Sequence, residues 1–310
     1  MTSSRGESVT AVACALMRAH HAENDESKIF DDHLAGRLIT RAERVFWETR
    51  LATILEASRP GEDLSRLDHR ARVSEALRAS AAPAMALARA RFAEDHLHAA
   101  IRKGTAQYVI LGAGLDTFAL RRAHIQDGLE IFEIDQAATQ QSKRARISAA
   151  GLSCPPNLHF LSADFERETV LDVLQRCPLY RSEKRTFFSW LGVTYYLSSG
   201  AIFEVLRSIG MASAPESGLA FDYIDRDGFD ATKASARIRR AMERTRHAGE
   251  PMVFGFKPDR LSAELAPCGF RVVETIDSEM QQARYFNDRK DGLKATEHFH
   301  LALAEVTNGL

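Results

Sequence analysis

Apolar residues in the first hundred positions recur every three to four places, and after Gly104 they gather into short continuous runs. The first pattern is that of helices with one buried face. Ala11, Ala15, Leu16 and Ala19 make one stripe, and Phe46, Leu51, Ile54 and Leu55 another. Pro60 and Gly61 break the pattern across 58–68. Pro83 then opens a helix that Gly104 closes, since proline suits a first helical turn and glycine the position past the last. Leu87, Ala90, Ala93, Leu97 and Ile101 form its expected buried stripe.

The later runs are strand-like: 107–111, 129–134, 158–161, 185–191 and 218–224, with two more at 270–275 and 298–306. Helical stretches at 137–150, 166–176 and 199–213 lie between the earlier ones. Such alternation predicts an α/β fold, its parallel sheet covered on both faces. Segment 226–257 is charged and helical and interrupts the alternation. It reads as a lid inserted over the C-terminal edge of the sheet, where open α/β sheets hold ligands. The expected organisation is a helical cap over 1–104 and a core over 105–310, forming one compact unit.

Composition narrows the partners. The chain of 310 residues carries a formal net charge of -1, so no global basic field draws nucleic acid or an anionic membrane. Cys14, Cys154, Cys177 and Cys268 are far apart and make no CxxC pair, which predicts neither a zinc knuckle nor a disulfide framework. No signal-peptide pattern stands at the N-terminus, and no apolar run approaches the ~20 residues needed to span a bilayer. The cytoplasm is the expected compartment.

The first strand-like run ends in "ILGAGLDT". Gly112 and Gly114 lack a Cβ and let backbone approach a ligand closely. A dinucleotide loop would place a third glycine where Thr117 stands. Asp116 inside the loop would repel a diphosphate, whereas S-adenosylmethionine carries a sulfonium and an ammonium and no phosphate. The loop therefore leans towards a methyl donor. Asp135, roughly 20 positions past Gly112 at the tip of the second run, is placed to accept from a ribose diol. Glu133 lies on the same strand face, either as a second cofactor ligand or as a structural acid. Asp164 and Phe165, after the third run, could read adenine, the carboxylate taking the exocyclic amine and the ring packing on the base. The competing reading makes Asp164 an N-cap.

These residues resemble a known family. "VILGAGLDT", "FEIDQ", "ADFE", "SWLGVTYYL" and "ARYFNDRKDGLKATEHFHLALAEV" are similar to motifs of the leucine carboxyl methyltransferase-like group, and more closely to its bacterial branch of S-adenosylmethionine-dependent methyltransferases. The likeness spans about residues 8 to 306. It implies a Rossmann-like seven-stranded sheet, mostly parallel with an antiparallel last strand. It also implies that an arginine ahead of the glycine loop pairs with the cofactor's carboxylate. In "RARFAED" Arg89 takes that place, with Arg91 as the alternate. An arginine's planar fork suits the task. The phosphatase-methylating members end the fourth strand with a glutamate that meets the cofactor's amino group. Here Ser189 or Trp190 stands near that place, so a small-molecule acceptor is expected instead.

Trp190, Tyr195 and Tyr196 follow the fourth run and are either lining for an acceptor pocket or core. No histidine stands out as a base: His20 and His21 lie in the N-terminal helices and His247 in the lid, all expected at the surface. "HFH" at 298–300 puts two histidines on one strand face with no clear third metal ligand, and "HLH" at 96–98 on a helix is weaker still, so no metal is expected. The resulting expectation is O-methylation of a small molecule, a carboxylate slightly ahead of a hydroxyl. N- or S-methylation, a NAD-dependent oxidoreductase and a non-catalytic binder of the cofactor are the rivals.

Overall fold

The structure, a computed structural model, describes residues 9–122, 128–165 and 167–307. The opening octapeptide, read above for a leader, and Glu166, the first residue of the expected helix 166–176, lie outside the described residues. Among the described residues four α-helices come first: α1 (Val9–Asn24), α2 (Arg41–Ser58), α3 (His69–Ala79) and α4 (Ala82–Arg102). Among the described residues seven strands follow: β1 (Gln107–Leu111), β2 (Glu130–Asp135), β3 (Leu158–Ser162), β4 (Thr186–Trp190), β5 (Gly218–Ile224), β6 (Phe270–Ile276) and β7 (Phe299–Val306). Between them run α5 (Phe118–Arg121), α6 (Ala137–Ala149), α7 (Val170–Gln175), α8 (Ser199–Ala212), α9 (Ala236–His247), α10 (Leu261–Leu265) and α11 (Ser278–Gln281).

The strands form one sheet in the order β3-β2-β1-β4-β5-β7-β6. β7 runs antiparallel to both its neighbours, and the β1–β5 pairings are parallel. β1, β4 and β5 are buried along their whole length because helices cover both faces, whereas edge strand β6 is buried only at its ends, Phe270 and Ile276. On one face α4 packs against β4, β5 and β7, burying Leu87, Phe92, Ala93 and Leu97. The helix read as part of a cap is thus one side of the main core. The other face holds Val173, Leu206, Ile209 and Leu265 from α7, α8 and α10. Each large side chain buried this fully contributes roughly 1.5–3 kcal/mol by leaving water.

Some expectations need correction. Phe46 is 58% exposed, because α2 uses Ala52 and Leu55 for its buried side. The helix expected over 166–176 starts at Val170, where Thr169 and Asp172 make a capping box. The insertion at 226–257 is a short turn at Arg226–Phe229, then α9, then an extended return. That return is anchored by Phe256, which is fully buried and bridges to Asp225. No described helix is long and apolar enough to cross a membrane.

Candidate active site

Strand order reverses between β2–β1 and β4–β5, and open α/β sheets hold ligands at the C-terminal strand ends beside such a reversal. The register fixes what meets there. Leu111 pairs with both Ile134 and Trp190, Asp135 with Ser162, and Trp190 with Phe221. Gly112, Asp135, Asp164, Gly192 and Asp222 therefore gather along one edge.

The glycine loop needs its glycines. Gly112 and Gly114 have φ of +68° and +49°, a region that side chains disfavour. A Cβ on Gly112 would lie 2.9 Å from Val193 Cγ2. Asp135 holds the loop from the next strand: its Oδ2 accepts from Gly114 N at 2.6 Å and its Oδ1 from Gln136 N at 2.7 Å. Burial pushes the Asp135 carboxyl up, and these two N–H groups pull it back. Asp116 accepts from Phe118 N at 2.7 Å and so closes the turn into α5. Thr117, in the third-glycine place, donates to Asp32 at 2.5 Å. Asp32 also pairs with Arg18 at 2.8 Å, so the loop is tied to the N-terminal segment. Burial works against the Asp32 charge, but Arg18 and Arg121 hold its carboxyl below the usual range.

Other predicted residues have protein partners. Glu133 meets Lys143 Nζ at 2.5 Å, both buried, an observation behind its reading as a structural acid. Burial pushes the Glu133 carboxyl up to about 7 against the pull of Lys143. Asp164 is half-exposed, and its backbone carbonyl accepts from Arg167 N and Glu168 N. The N-cap of α7 is Thr169, not Asp164. Phe165 is partly buried against the adjoining core. Ser189 Oγ lies 2.9 Å from Tyr108 Oη, inside the protein. Trp190 is 1% exposed and enclosed with Val109, Leu111 and Ile202. Tyr195 and Tyr196 share a short turn, their rings 4.7 Å apart.

The two candidate arginines part company. Arg91 pairs with Asp95 at 2.9 Å on the surface. Arg89 is mostly but not fully buried, donating to Tyr195 Oη at 3.0 Å and to Cys14 Sγ at 3.4 Å, with Asp222 Oδ2 at 3.7 Å. Asp222 and Gly192 were absent from the sequence reading. Asp222 is fully buried and its Oδ1 accepts from Gly192 N at 2.6 Å. The signal for it was an acid inside the apolar run "GLAFDYI", where a strand bound for the core should carry none.

Gly192 has φ of +74°, and a Cβ there would come within 2.6 Å of the Arg89 guanidinium. Gly192→Ala is expected to cost about 1–3 kcal/mol in stability through strain and overlap. It should also weaken cofactor binding. Gly200→Ala, in open space at the start of α8, should be neutral or slightly stabilising. Thermal melting of the two variants side by side checks this, and equal melting points would remove the argument.

The histidines are placed differently from expectation. His20 and His21 are buried, not surface residues: His21 bridges Asp25 at 2.6 Å and accepts from Ile29 N at 2.8 Å, pinning the turn after α1. His247 is exposed. His298 precedes β7 with φ of +66°, so the pair at 298 and 300 does not share a regular strand. Both imidazoles instead reach Asp225 at 3.0 Å. An open pocket of about 440 Å³ is lined by other residues, Arg59, Glu75, Arg78, Arg237, Arg240 and Asp291 among them.

Known proteins share this sequence pattern and sheet. The family profile described as leucine carboxyl methyltransferase matches residues 11–210. A Bacillus subtilis (strain 168) protein provisionally named an S-adenosyl-L-methionine-dependent methyltransferase, YktD, is 33% identical over 296 residues, 94% of this chain and 96% of its own. A Mycolicibacterium paratuberculosis protein with the same provisional description is 29% identical, over 82% of this chain and 77% of its own. In three dimensions, a crystal structure from Thermobifida fusca YX, provisionally called a methyltransferase, superimposes with a TM-score of 0.59 at 14% identity, covering 97% of this chain and 96% of that one. At that identity the likeness is one of fold.

Proposed function

The chain belongs to the leucine carboxyl methyltransferase family and is an S-adenosyl-L-methionine-dependent methyltransferase; from that premise we propose that it methylates an oxygen of a small molecule, a carboxylate ahead of a hydroxyl. We place the cofactor at the strand tips. The positive-φ turn at Gly112 and Gly114 supports this, as does Asp135, a carboxylate held at that turn by the N–H groups of Gly114 and Gln136. Asp164 and Phe165 would take the adenine end, and Arg89 the carboxylate. Asp116 and Glu133 act through the protein, Asp116 by shaping the loop and Glu133 by fixing β2 to α6.

When bound, S-adenosylmethionine supplies a methyl group on a sulfonium, open to in-line attack. The chain's own part is to orient the acceptor opposite the sulfur and to exclude water. An alcohol or phenol benefits from a base, whereas a carboxylate is already an anion. The observation that favours the carboxylate is where the imidazoles go. Among the described residues His20, His21, His159, His298 and His300 bond Ser74, Asp25, Glu130 and Asp225, and no imidazole hydrogen bond reaches the strand-tip group. We assign acceptor lining to Tyr195, Tyr196, the cap over 1–104 and the lid over 226–257, with Ser189 and Trp190 supporting from behind. The unpaired Cys14, Cys154, Cys177 and Cys268 are in keeping with a reducing cytoplasm.

The test is a screen of acids, phenols, amines and thiols with isotopically labelled cofactor. Label should appear on acids as base-labile methyl esters. Transfer confined to nitrogen or sulfur would overturn the oxygen assignment, and transfer confined to phenols would overturn the preference for carboxylates.

A further inference from the structure

We propose that Asp222 and Arg89 form a split ion pair completed by the zwitterionic amino-acid end of the cofactor, Asp222 taking the ammonium and Arg89 the carboxylate. This rests on the strand-tip cofactor site proposed above. Asp222 is fully buried at β5, yet its Oδ2 makes no hydrogen bond within the described structure. The facing cation, Arg89 Nη1, stays at 3.7 Å, well beyond the ~2.7–2.9 Å of a charge-assisted hydrogen bond. Arg89 in turn spends its hydrogen bonds on a phenol and a thiol, both neutral and weak acceptors for a guanidinium. A buried carboxylate and a part-buried guanidinium thus face each other at 3.7 Å, each short of charged partners. Such a half-satisfied pair is costly to keep in a folded core.

A ligand with an ammonium and a carboxylate on one carbon answers both deficits at once. Neither charge alone would do so, because an anion at Arg89 would repel Asp222 and a cation at Asp222 would repel Arg89. The place where related phosphatase-methylating enzymes carry a glutamate offers no anion here. Ser189 is engaged by Tyr108 and Trp190 is enclosed in the core. Asp222 stands one strand over, just past the Trp190–Phe221 pair, and so brings a carboxylate to the same edge. Gly192, which donates to Asp222, leaves the Arg89 guanidinium its place, since a Cβ there would come within 2.6 Å of it.

Isothermal titration compares S-adenosylhomocysteine with its deamino analogue, in the wild-type protein and in Asp222→Asn. That change is isosteric and keeps an acceptor for Gly192 N–H. Wild type should lose about 30-fold in affinity when the amine is removed, the size of a charge-assisted hydrogen bond. Asp222→Asn should bind S-adenosylhomocysteine about 30-fold more weakly and hold the two compounds within about threefold of each other. A variant that still favours the amine would overturn the proposal, and so would a wild type indifferent to it. Failure of both thioethers to bind wild type would instead remove the cofactor site itself. If Asp222→Asn does not fold, Asp222→Ser, which keeps Arg89, takes its place, and amine preference surviving in that protein would equally overturn the assignment.

Discussion

Asp135→Ala is expected to lower affinity for S-adenosylhomocysteine at least about 100-fold while leaving most of the fold intact. The size follows from two roles carried by one carboxylate. Asp135 tethers Gly114 N at 2.6 Å and Gln136 N at 2.7 Å, which sets the shape of the loop that approaches the ligand. Its remaining lone pairs are the ones proposed to receive the ribose diol, and each charge-assisted hydrogen bond is worth about 1.5–3 kcal/mol. Asp135→Asn separates the roles. It keeps one oxygen for Gly114 N but loses the charge, so an intermediate loss is expected. Calorimetric titration with both variants checks this. Binding unchanged in Asp135→Ala would move the ribose to another acid of the edge.

Arg89→Ala should produce the largest loss of stability of any single change at the site, about 3–5 kcal/mol. Asp222 is fully buried and would keep Gly192 N and the neighbouring neutral Tyr195 hydroxyl but lose its facing cation. The carboxylate would have to take up a proton or let in water. That loss is a large share of the roughly 5–15 kcal/mol that holds a domain together. Removing both charges, as in Arg89→Met with Asp222→Leu, should recover much of the stability, because two apolar groups leave no charge stranded. It should not recover cofactor binding. Melting temperatures of the single and paired variants give the answer, and a single variant as stable as wild type would show that Asp222 is neutral in the native protein.

The sheet was legible because its cues are local. The runs at 107–111 and 218–224 match β1 and β5 residue for residue, and the others fall within a residue or two of theirs. A strand buried on both faces must be continuously apolar, and a tight turn must use glycine, so β1 and the loop after it announce themselves. The runs themselves numbered seven, and the resemblance added that the last is antiparallel, which the alternation alone did not contain. The acids at 135 and 164 were visible for the same reason, since a polar residue ending an apolar run marks a strand tip.

Other features have no local cue. Asp222 looks like an interruption of a strand, and Arg89 like one of many helix charges, until the β4–β5 register and the docking of α4 bring them together. Gly192 gains its meaning only from the guanidinium that occupies the space of its missing side chain. Phe46 had helical spacing but no partner surface, and His21 is buried because Asp25 and the Ile29 amide satisfy it. Periodicity along a chain reports which residues avoid water. Which charges meet, and which are left without a partner, depends on elements distant in sequence arriving at the same edge, and packing alone decides that.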